Sequence, residues 1–265
     1  MPEPVTHIPD MTDVRPGAIS RAGARIDHLY HALVRRRFAG VVRQLGRHVE
    51  PGGVILDVGA NHGRYTKHLA ALHHGSCRVY AFEPLEYNLK MLRLVVGRRP
   101  NVTIIEKGLS NAPGEVELYV PYKKASRRYS HGSAHMSDAN SPDSLGTRTA
   151  PDVCKTTIQT VRLDDWAAAE GLDRFDLMKI DVEGAEPLVI EGALATLDRF
   201  HPAIFAELIP GMPERVGRCV EDVIDPLRRL GYRMFAADTG LNAPREVDAW
   251  TPDARDYLFL SPAVA

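Results

Sequence analysis

Residues 54–66 read VILDVGANHGRYT, an apolar run that ends in an acid and is followed by two glycines four residues apart. A buried strand with a glycine turn after it predicts the start of an α/β sheet, in which ligands bind beyond the carboxyl ends of the strands. Gly59 and Gly63 have no Cβ, so we expect the backbone to turn sharply there and to approach a ligand closely. A helix is expected to start near Arg64 and to present free N–H groups to that ligand.

The rest of the chain alternates between β-rich and helical stretches. The β-rich runs are VILDV, RVYAFE, NVTIIE, FDLMKID, AIFAEL, YRMFAA and DYLFLS. This alternation predicts a mostly parallel sheet with helices on both faces. The runs EVELYV and TTIQTVRL depart from it, and we expect them to form a small inserted β hairpin with a long loop over residues 121–156. A loop of that length is usually functional or disordered.

Composition limits the class of protein. The chain has 265 residues, 44% of them hydrophobic, and a formal net charge of −1, which is ordinary for a globular protein. Such a charge gives no reason to expect a nucleic-acid partner or an anionic membrane. Three scattered cysteines indicate neither a disulfide framework nor a zinc site, and the proline-rich start is unlike a signal peptide. We therefore expect a cytoplasmic protein without membrane insertion.

Residues 1–49 are predicted to be an N-terminal helical extension of a domain that covers residues 50–265. Ile26, Leu29, Leu33, Val41 and Leu45 recur near helical spacing, with arginines between them. These amphipathic helices would either cover the site or form a homo-oligomer, and the pattern does not distinguish the two.

The spacing of acids around the glycine turn indicates the ligand. Glu83 follows the second predicted strand, twenty residues after Gly63, where a carboxylate can accept hydrogen bonds from both hydroxyls of a ribose. Asp57 and the turn amides suit a zwitterionic amino acid. Asn61 stands where a dinucleotide fingerprint needs its middle glycine, and no GK[ST] follows, so neither that fingerprint nor a phosphate loop is present. A ribose joined to an amino acid describes S-adenosylmethionine.

Five segments, in this order, resemble the FkbM-type methyltransferases: ILDVGANHGRYT, VYAFEPLEYNLKML, NVTIIEKGLSNAPGEVELYV, TVRLDDW and FDLMKIDVEGAEPLVIEGA, together covering roughly residues 50–210. The resemblance implies a class I methyltransferase fold, Rossmann-like, with seven strands of which the last is antiparallel. It also implies S-adenosylmethionine as cofactor, S-adenosylhomocysteine as product, and transfer to oxygen, commonly to a hydroxyl of a sugar or natural product. The acceptor would be a small molecule or a saccharide.

The matched motifs give a set of expected cofactor-binding residues. These are Asp57, Gly59, Ala60, Asn61, Gly63, Tyr65, Glu83, Pro84, Ser110 and Asp181. Ser110 lies where the family pattern places adenine contacts, although it could be a plain turn serine. Tyr65 and Asn88, just after the two cofactor motifs, could equally serve packing or capping.

The stretch KIDVEGAE supplies the expected catalytic residues Lys179 and Asp181. Strand alternation puts both on one face, so they can pair or can both reach the site. Asp181 takes the position that faces the transferable methyl and could orient the acceptor hydroxyl or take its proton. Alternatively, it caps a helix that begins at Glu183 or Gly184.

The long loop offers further candidates. His131 and His135 are candidate general bases, or else solvated loop histidines. The basic residues Lys123, Lys124, Arg127 and Arg128 could hold an acidic acceptor under a closing lid, or could simply be solvated. Methyl transfer from a sulfonium mainly needs alignment and exclusion of water, so a strong base is optional.

Several alternatives stay open. Asp181, Glu183 and Glu207 could gather around a divalent metal, but their spacing does not require one and we do not expect it. An NAD-dependent oxidoreductase is disfavoured by Asn61, and transfer to nitrogen by the absence of an N-P-P-[FY] clamp. A non-catalytic module that binds S-adenosylmethionine is compatible with the same cofactor residues.

Overall fold

The computed structural model describes residues 10–11, 37–123, 128–129, 134–136, 153–237 and 244–262. The strands within this part are β1 (Val54–Val58), β2 (Arg78–Phe82), β3 (Val102–Ile105), β4 (Gly108–Leu109), β5 (Gly114–Lys123), β6 (Arg128–Tyr129), β7 (His135–Met136), β8 (Val153–Val161), β9 (Leu177–Ile180), β10 (Ala203–Glu207), β11 (Arg233–Ala237), β12 (Arg245–Glu246) and β13 (Asp256–Leu260). The helices are α1 (Arg37–Leu45), α2 (Thr66–Leu69), α3 (Glu86–Val96), α4 (Leu163–Glu170), α5 (Glu186–Glu191), α6 (Leu194–Phe200) and α7 (Glu221–Arg229). No helix in these ranges combines the length and apolarity needed to cross a membrane.

The main sheet has the predicted, mostly parallel form. Across the described residues its strand order is β3-β2-β1-β9-β10-β13-β11-β12. The first five strands in this order run parallel, whereas β13 is antiparallel to both β10 and β11. Without the two-residue strand β12, this is the order 3-2-1-4-5-7-6 counted along the chain, with the last strand reversed. The chain order of the strands changes direction between β1 and β9, and such a switch point is where ligands bind in open α/β sheets.

Both faces of the sheet are covered, which explains the apolar character of its central strands. All five residues of β1 are buried. Val54, Leu56 and Val58 belong to the core cluster under α4 to α7, and Ile55 belongs to the cluster under α1 and α2. Continuous apolar runs are typical of parallel strands buried on both sides.

The N-terminal helices are described only in part. Arg37–Leu45 is helical, and Val42 and Leu45 are buried in the cluster that contains Ile55. Ile26, Leu29 and Leu33 lie outside the described residues, so the rest of the extension and its boundary at residue 49 stay predictions.

The inserted hairpin is larger than predicted. β5 pairs antiparallel with β8 as expected, but β5 continues to Lys123 and β8 begins at Val153, both inside the stretch expected to be loop. β4 joins β8, while β6 and β7 pair with β5, so the described part of the insert is a small second sheet. Leu118 and Ile158 of this sheet pack against Leu85, the residue before α3.

Candidate active site

The turn after β1 is built on a glycine, and the backbone turns sharply there as predicted. Gly59 has φ +72°, and its N–H and that of Ala60 donate to the Phe82 carbonyl of the neighbouring strand. A Cβ on Gly59 would lie 2.0 Å from the Asp181 carbonyl oxygen. The glycine therefore allows the β1 turn and the β9 turn to touch, and its contact with a ligand stays a prediction.

Gly63 and Ala60 serve the packing of α3. Gly63 has φ +77°, and a Cβ there would lie 2.8 Å from Leu92 Cδ1. Ala60 is buried beside Leu92 and Val96 of the same helix. The expected helix near Arg64 begins later, at Thr66, and has four residues, because residues 61–65 form turns. The helix thus begins within two residues of the expected position but is a single turn, and the contact of its N–H groups with a ligand stays a prediction.

Glu83 lies directly after β2, as predicted, and is 4% exposed. Its Oε2 accepts the Asn61 N–H at 2.8 Å, and its Oε1 accepts the Leu85 N–H at 2.8 Å. Asn61 adopts a left-handed conformation (φ 51°), which asparagine tolerates better than most residues and which aims its N–H at Glu83. Burial raises the pKa of Glu83 to about 7, although these bonds and the Asn88 side chain act to lower it. Since an ionised carboxylate has about four acceptor positions, Glu83 keeps capacity for ligand hydroxyls.

Asp57, Lys179 and Asp181 form one charged row across β1 and β9. Asp57 and Lys179 are register partners and both are buried. Lys179 Nζ lies 3.3 Å from Asp57 Oδ1 and 3.6 Å from Asp181 Oδ2, and it donates to the Gly59 carbonyl at 2.8 Å. Burial alone would lower the pKa of Lys179, but the two carboxylates outweigh it and raise that pKa.

The two carboxylates of this row differ in access. The Asp57 side chain has no exposed surface, and Thr66 Oγ1 donates to its Oδ2 at 2.6 Å. The Asp181 side chain is 38% exposed. Asp57 thus acts on the site through Lys179 and Thr66, while Asp181 is the member that a ligand can reach.

Asp181 is not a helix cap. The helix that follows begins at Glu186, later than Glu183 or Gly184, and Ala185 at its N-cap position makes no side-chain bond. Instead Glu186 Oε1 accepts the N–H groups of Val182 and Gly184, at 3.0 and 3.4 Å. The Glu186 side chain therefore holds the turn and leaves the Asp181 carboxylate available.

Three more carboxyls near this turn have altered acidity. Burial, reinforced by Asp181 and other carboxylates, raises the pKa of Glu183 to about 8 and that of Glu207 to about 7. Burial likewise raises the pKa of Glu186 to about 7. Glu183 also has φ 57°, a conformation that is unfavourable for a non-glycine residue and that is common at functional sites.

Tyr65 lies over this acidic region. Its ring packs edge-on against Phe38, with ring centroids 4.8 Å apart, and Lys179 Nζ is 5.3 Å from its centroid. Burial and the nearby carboxylates, led by Asp256, raise the pKa of its hydroxyl, which therefore stays protonated.

An open cavity lies above the carboxyl ends of β1, β2 and β9. Its lining includes Gly59, Asn61, Glu83, Pro84, Asn88 and Asp181. The opposite wall is apolar and comes largely from the second sheet, through Leu109, Leu118, Ala134, Met136 and Ile158. This wall could not be predicted, because the strand pairings between distant segments decide which residues of the insert face the cavity.

Ser110, His135 and Ala60 are among the expected site residues that do not line the cavity. Ser110 follows β4 in the second sheet, and its neighbour Leu109 lines the cavity instead. The Ser110 carbonyl packs against Gly192, where an added Cβ would lie 2.1 Å from its oxygen. His135 is buried on β7 between Ala134 and Met136, and these two neighbours line the cavity. Because alternate strand residues face opposite sides, His135 points away and is not placed to act as a base. Ala60 lies in the apolar cluster under α3.

Other candidates cannot be placed. His131, Lys124 and Arg127 lie outside the described residues, and for Lys123 and Arg128 only the backbone is described. Within the described part of the chain, no group of three or more His, Cys, Asp or Glu side chains could hold a metal ion, and this covers Asp181, Glu183 and Glu207.

The strand order, the reversed β13 and the cavity at the switch point define a class I methyltransferase fold. The sequence profile of the Methyltransferase FkbM domain matches residues 57–234, and the chain belongs to the FkbM methyltransferase family.

Known proteins similar to this chain vary in length. The 31-O-demethyl-FK506 methyltransferase FkbM of Streptomyces tacrolimicus is 30% identical over 216 residues, which cover 76% of this chain and 81% of that protein. The 2-O-methyltransferase NoeI of Sinorhizobium fredii is 27% identical over 161 residues, 57% of this chain and 61% of that protein. The AMB antimetabolite synthetase AmbE of Pseudomonas aeruginosa is 34% identical over 165 residues, 54% of this chain but 8% of that protein. The chain thus spans less than two thirds of NoeI and a small part of AmbE.

A solved structure of methyltransferase FkbM from Methylobacillus flagellatus KT is 15% identical, with a TM-score of 0.47, and the match covers 91% of this chain and 59% of that one.

Proposed function

We propose that the protein is an S-adenosylmethionine-dependent O-methyltransferase acting on a hydroxyl of a carbohydrate or natural-product small molecule. The observation that carries the proposal is the cavity that both Glu83 and the accessible Asp181 line. Glu83, held by two backbone N–H groups, follows β2, and Asp181 follows β9, the two strands that flank β1. Family membership supports methyl transfer, and the names of the FkbM and NoeI proteins, both O-methyltransferases, support oxygen as the acceptor atom.

Cofactor binding is assigned to the β1, β2 and β9 turns. When bound, S-adenosylmethionine would supply a methyl group activated by its sulfonium charge. Glu83 would accept a hydrogen bond from the ribose diol, and its carboxylate is already oriented by the N–H groups of Asn61 and Leu85. Lys179 neutralises Asp57 and fixes the Gly59 turn against β9, so the amino-acid end would meet a preformed surface. A preformed site loses less conformational entropy on binding.

Asp181 is the proposed partner of the acceptor hydroxyl. It would hold the O–H in line with the methyl carbon and take the proton as the new O–C bond forms and the C–S bond breaks. Lys179, 3.6 Å away, orients the Asp181 carboxylate but is buried, so it acts as a positioning residue rather than reaching the acceptor. The carboxylate that accepts this proton needs to lie near the methyl group. Alignment of the acceptor oxygen with the methyl carbon matters more than the basicity of that carboxylate.

Glu183 has a separate proposed role. It lines the cavity beside Asp181, and with a pKa of about 8 it is mostly protonated near neutral pH. A neutral Glu183 donates a hydrogen bond and does not repel the ionised Asp181. Its acid form would therefore help to bind a neutral, hydroxyl-rich acceptor.

The proposed cellular location and the choice between alternative functions rest on fewer observations. Cys77, Cys154 and Cys219 are not in disulfide bonds, which is compatible with a cytoplasmic location that we also propose. An NAD-dependent oxidoreductase would need a glycine where Asn61 donates to Glu83. A non-catalytic module would need no accessible Asp181, so catalysis is the preferred proposal.

The test is methyl transfer from S-adenosylmethionine carrying an isotopically labelled methyl group. Purified protein is incubated with a panel of saccharides and polyhydroxylated natural products, and products are detected by mass spectrometry. We expect a labelled methyl ether on at least one acceptor, lost in Asp181→Asn and retained in Asp165→Asn, which changes an exposed aspartate on α4. Labelled methyl appearing on an amine, or NAD reduction in place of methyl transfer, would contradict the proposal.

A further inference from the structure

Asn88 is a buried polar residue that helix formation does not explain. It is the third residue of α3 and is 2% exposed. Asparagine is a poor choice inside a helix because its side chain competes for backbone hydrogen bonds. The N-cap residue of α3 is Leu85, not Asn88, and no side-chain hydrogen bond caps this end of the helix.

The two ends of the Asn88 amide have different surroundings. Its interaction with the Glu83 carboxylate lowers the pKa of that group, and since an ionised carboxylate only accepts, the NH₂ end of Asn88 faces Glu83. The other end, Oδ1, is buried and has no hydrogen-bond partner among the described residues. A buried carbonyl without a partner is unfavourable, and Asn88 lines the cavity.

We propose that Asn88 Oδ1 accepts a hydrogen bond from one ribose hydroxyl of the bound cofactor, while Glu83 accepts one from the other hydroxyl. The proposal rests on the function proposed above. Asn88 interacts with Glu83 and both residues line the cavity, so Oδ1 and the carboxylate would together receive the two hydroxyls of a vicinal diol. Asn88 is then both a ligand contact and a positioning residue for Glu83, and the pair selects for a ligand with both hydroxyls.

The experiment measures calorimetric binding of S-adenosylhomocysteine and its 2′-deoxy and 3′-deoxy analogues. Wild-type protein should bind each deoxy analogue about tenfold more weakly, the effect of one lost hydrogen bond. Asn88→Ala should bind S-adenosylhomocysteine about tenfold more weakly but lose nothing further with one of the two analogues. Asn88→Leu, which keeps the side-chain volume, should behave in the same way if Asn88→Ala folds poorly.

The matched control is Asn101→Ala. The Asn101 amide donates to the Ala70 and Cys77 carbonyls, so its removal should leave the wild-type discrimination between ligands unchanged. Full discrimination against both deoxy analogues in the Asn88 variants would overturn the inference. A fourth ligand, the analogue in which a carbonyl replaces the 6-amino group of the base, is titrated in the same way. If the Asn88 variants lose discrimination only against this analogue, Asn88 lies at the base and the inference is also overturned. If wild-type protein does not bind S-adenosylhomocysteine at all, the proposed function fails as well.

Discussion

Cofactor affinity should depend on pH through Glu83. This residue is 4% exposed, and burial raises its pKa from 4.5 to about 7. A ribose hydroxyl donates to an ionised carboxylate more strongly than to a neutral one. Below pH 7 the ligand-free protein holds a proton on Glu83 that must be released on binding.

The size of the effect follows from the pKa. A rise from 4.5 to about 7 means that ionised Glu83 costs the folded protein about 3 kcal/mol, to order of magnitude. In the ligand-free protein, Glu83 contributes most to the free energy of unfolding below pH 4.5, where it is protonated in both the folded and the unfolded state. This contribution is lost as the pH rises to about 7. For binding the sign is opposite: the apparent Kd should be constant above about pH 8 and should rise about tenfold for each pH unit below about 7.

Isothermal titration calorimetry with S-adenosylhomocysteine between pH 5.5 and 8.5 measures this directly, with circular dichroism to confirm folding at each pH. Glu83→Gln is the comparison, because it removes the titrating group and keeps the shape. Its affinity should be weaker and should lack the Glu83 component, leaving only what Glu183, Glu186 and Glu207 contribute. Equal pH dependence in both proteins, or a wild-type affinity that does not change over this range, would refute the assignment of the ribose to Glu83.

Further predictions concern the charged row and the glycine turn. Asp181→Asn should lower kcat by about 10²- to 10⁴-fold, with a smaller change in Kd for S-adenosylhomocysteine, because it removes a proton acceptor. An equal loss of both would assign Asp181 to the cofactor. Lys179→Met leaves Asp57 buried without a counter-charge and should lower the free energy of unfolding by about 3–5 kcal/mol in urea titrations, so an unchanged midpoint would argue against the pairing. Gly59→Ala should destabilise the protein more than Gly52→Ala does in the same assay. Both glycines have positive φ, but nothing lies within 4 Å of a Cβ on Gly52, whereas on Gly59 it would meet the Asp181 carbonyl. Equal destabilisation would mean that the contact between turns does not require glycine.

The main sheet could be predicted because its signals are local. Runs such as Val54–Val58 are short, apolar and followed by turn residues, and their alternation with helices specifies a parallel sheet. The position of Glu83 at a strand end followed from the same pattern. The chain order of strands then brings the ends of β1, β2 and β9 together without any further information.

The failures involve contacts between distant segments. The side of the second sheet on which His135 lies depends on the pairing of β7 with β5. The position of Ser110 depends in the same way on the pairing of β4 with β8. A capping role for Asp181 stayed open as an alternative because the sequence does not show that Glu186, five residues later, accepts N–H groups of the turn. The role of Gly59 likewise depends on the Asp181 carbonyl, more than a hundred residues away in the chain.

The most direct test of the central claim is calorimetric titration of wild-type protein and Glu83→Ala with S-adenosylhomocysteine and, separately, with NAD, each with and without a divalent metal. We expect wild-type protein to bind S-adenosylhomocysteine and not NAD, independently of metal. Glu83→Ala should bind it about ten- to a hundredfold more weakly, the effect of losing about 1.5–3 kcal/mol of charge-assisted hydrogen bonding. No heat with S-adenosylhomocysteine on folded wild-type protein, or equal affinity in Glu83→Ala, would contradict the account.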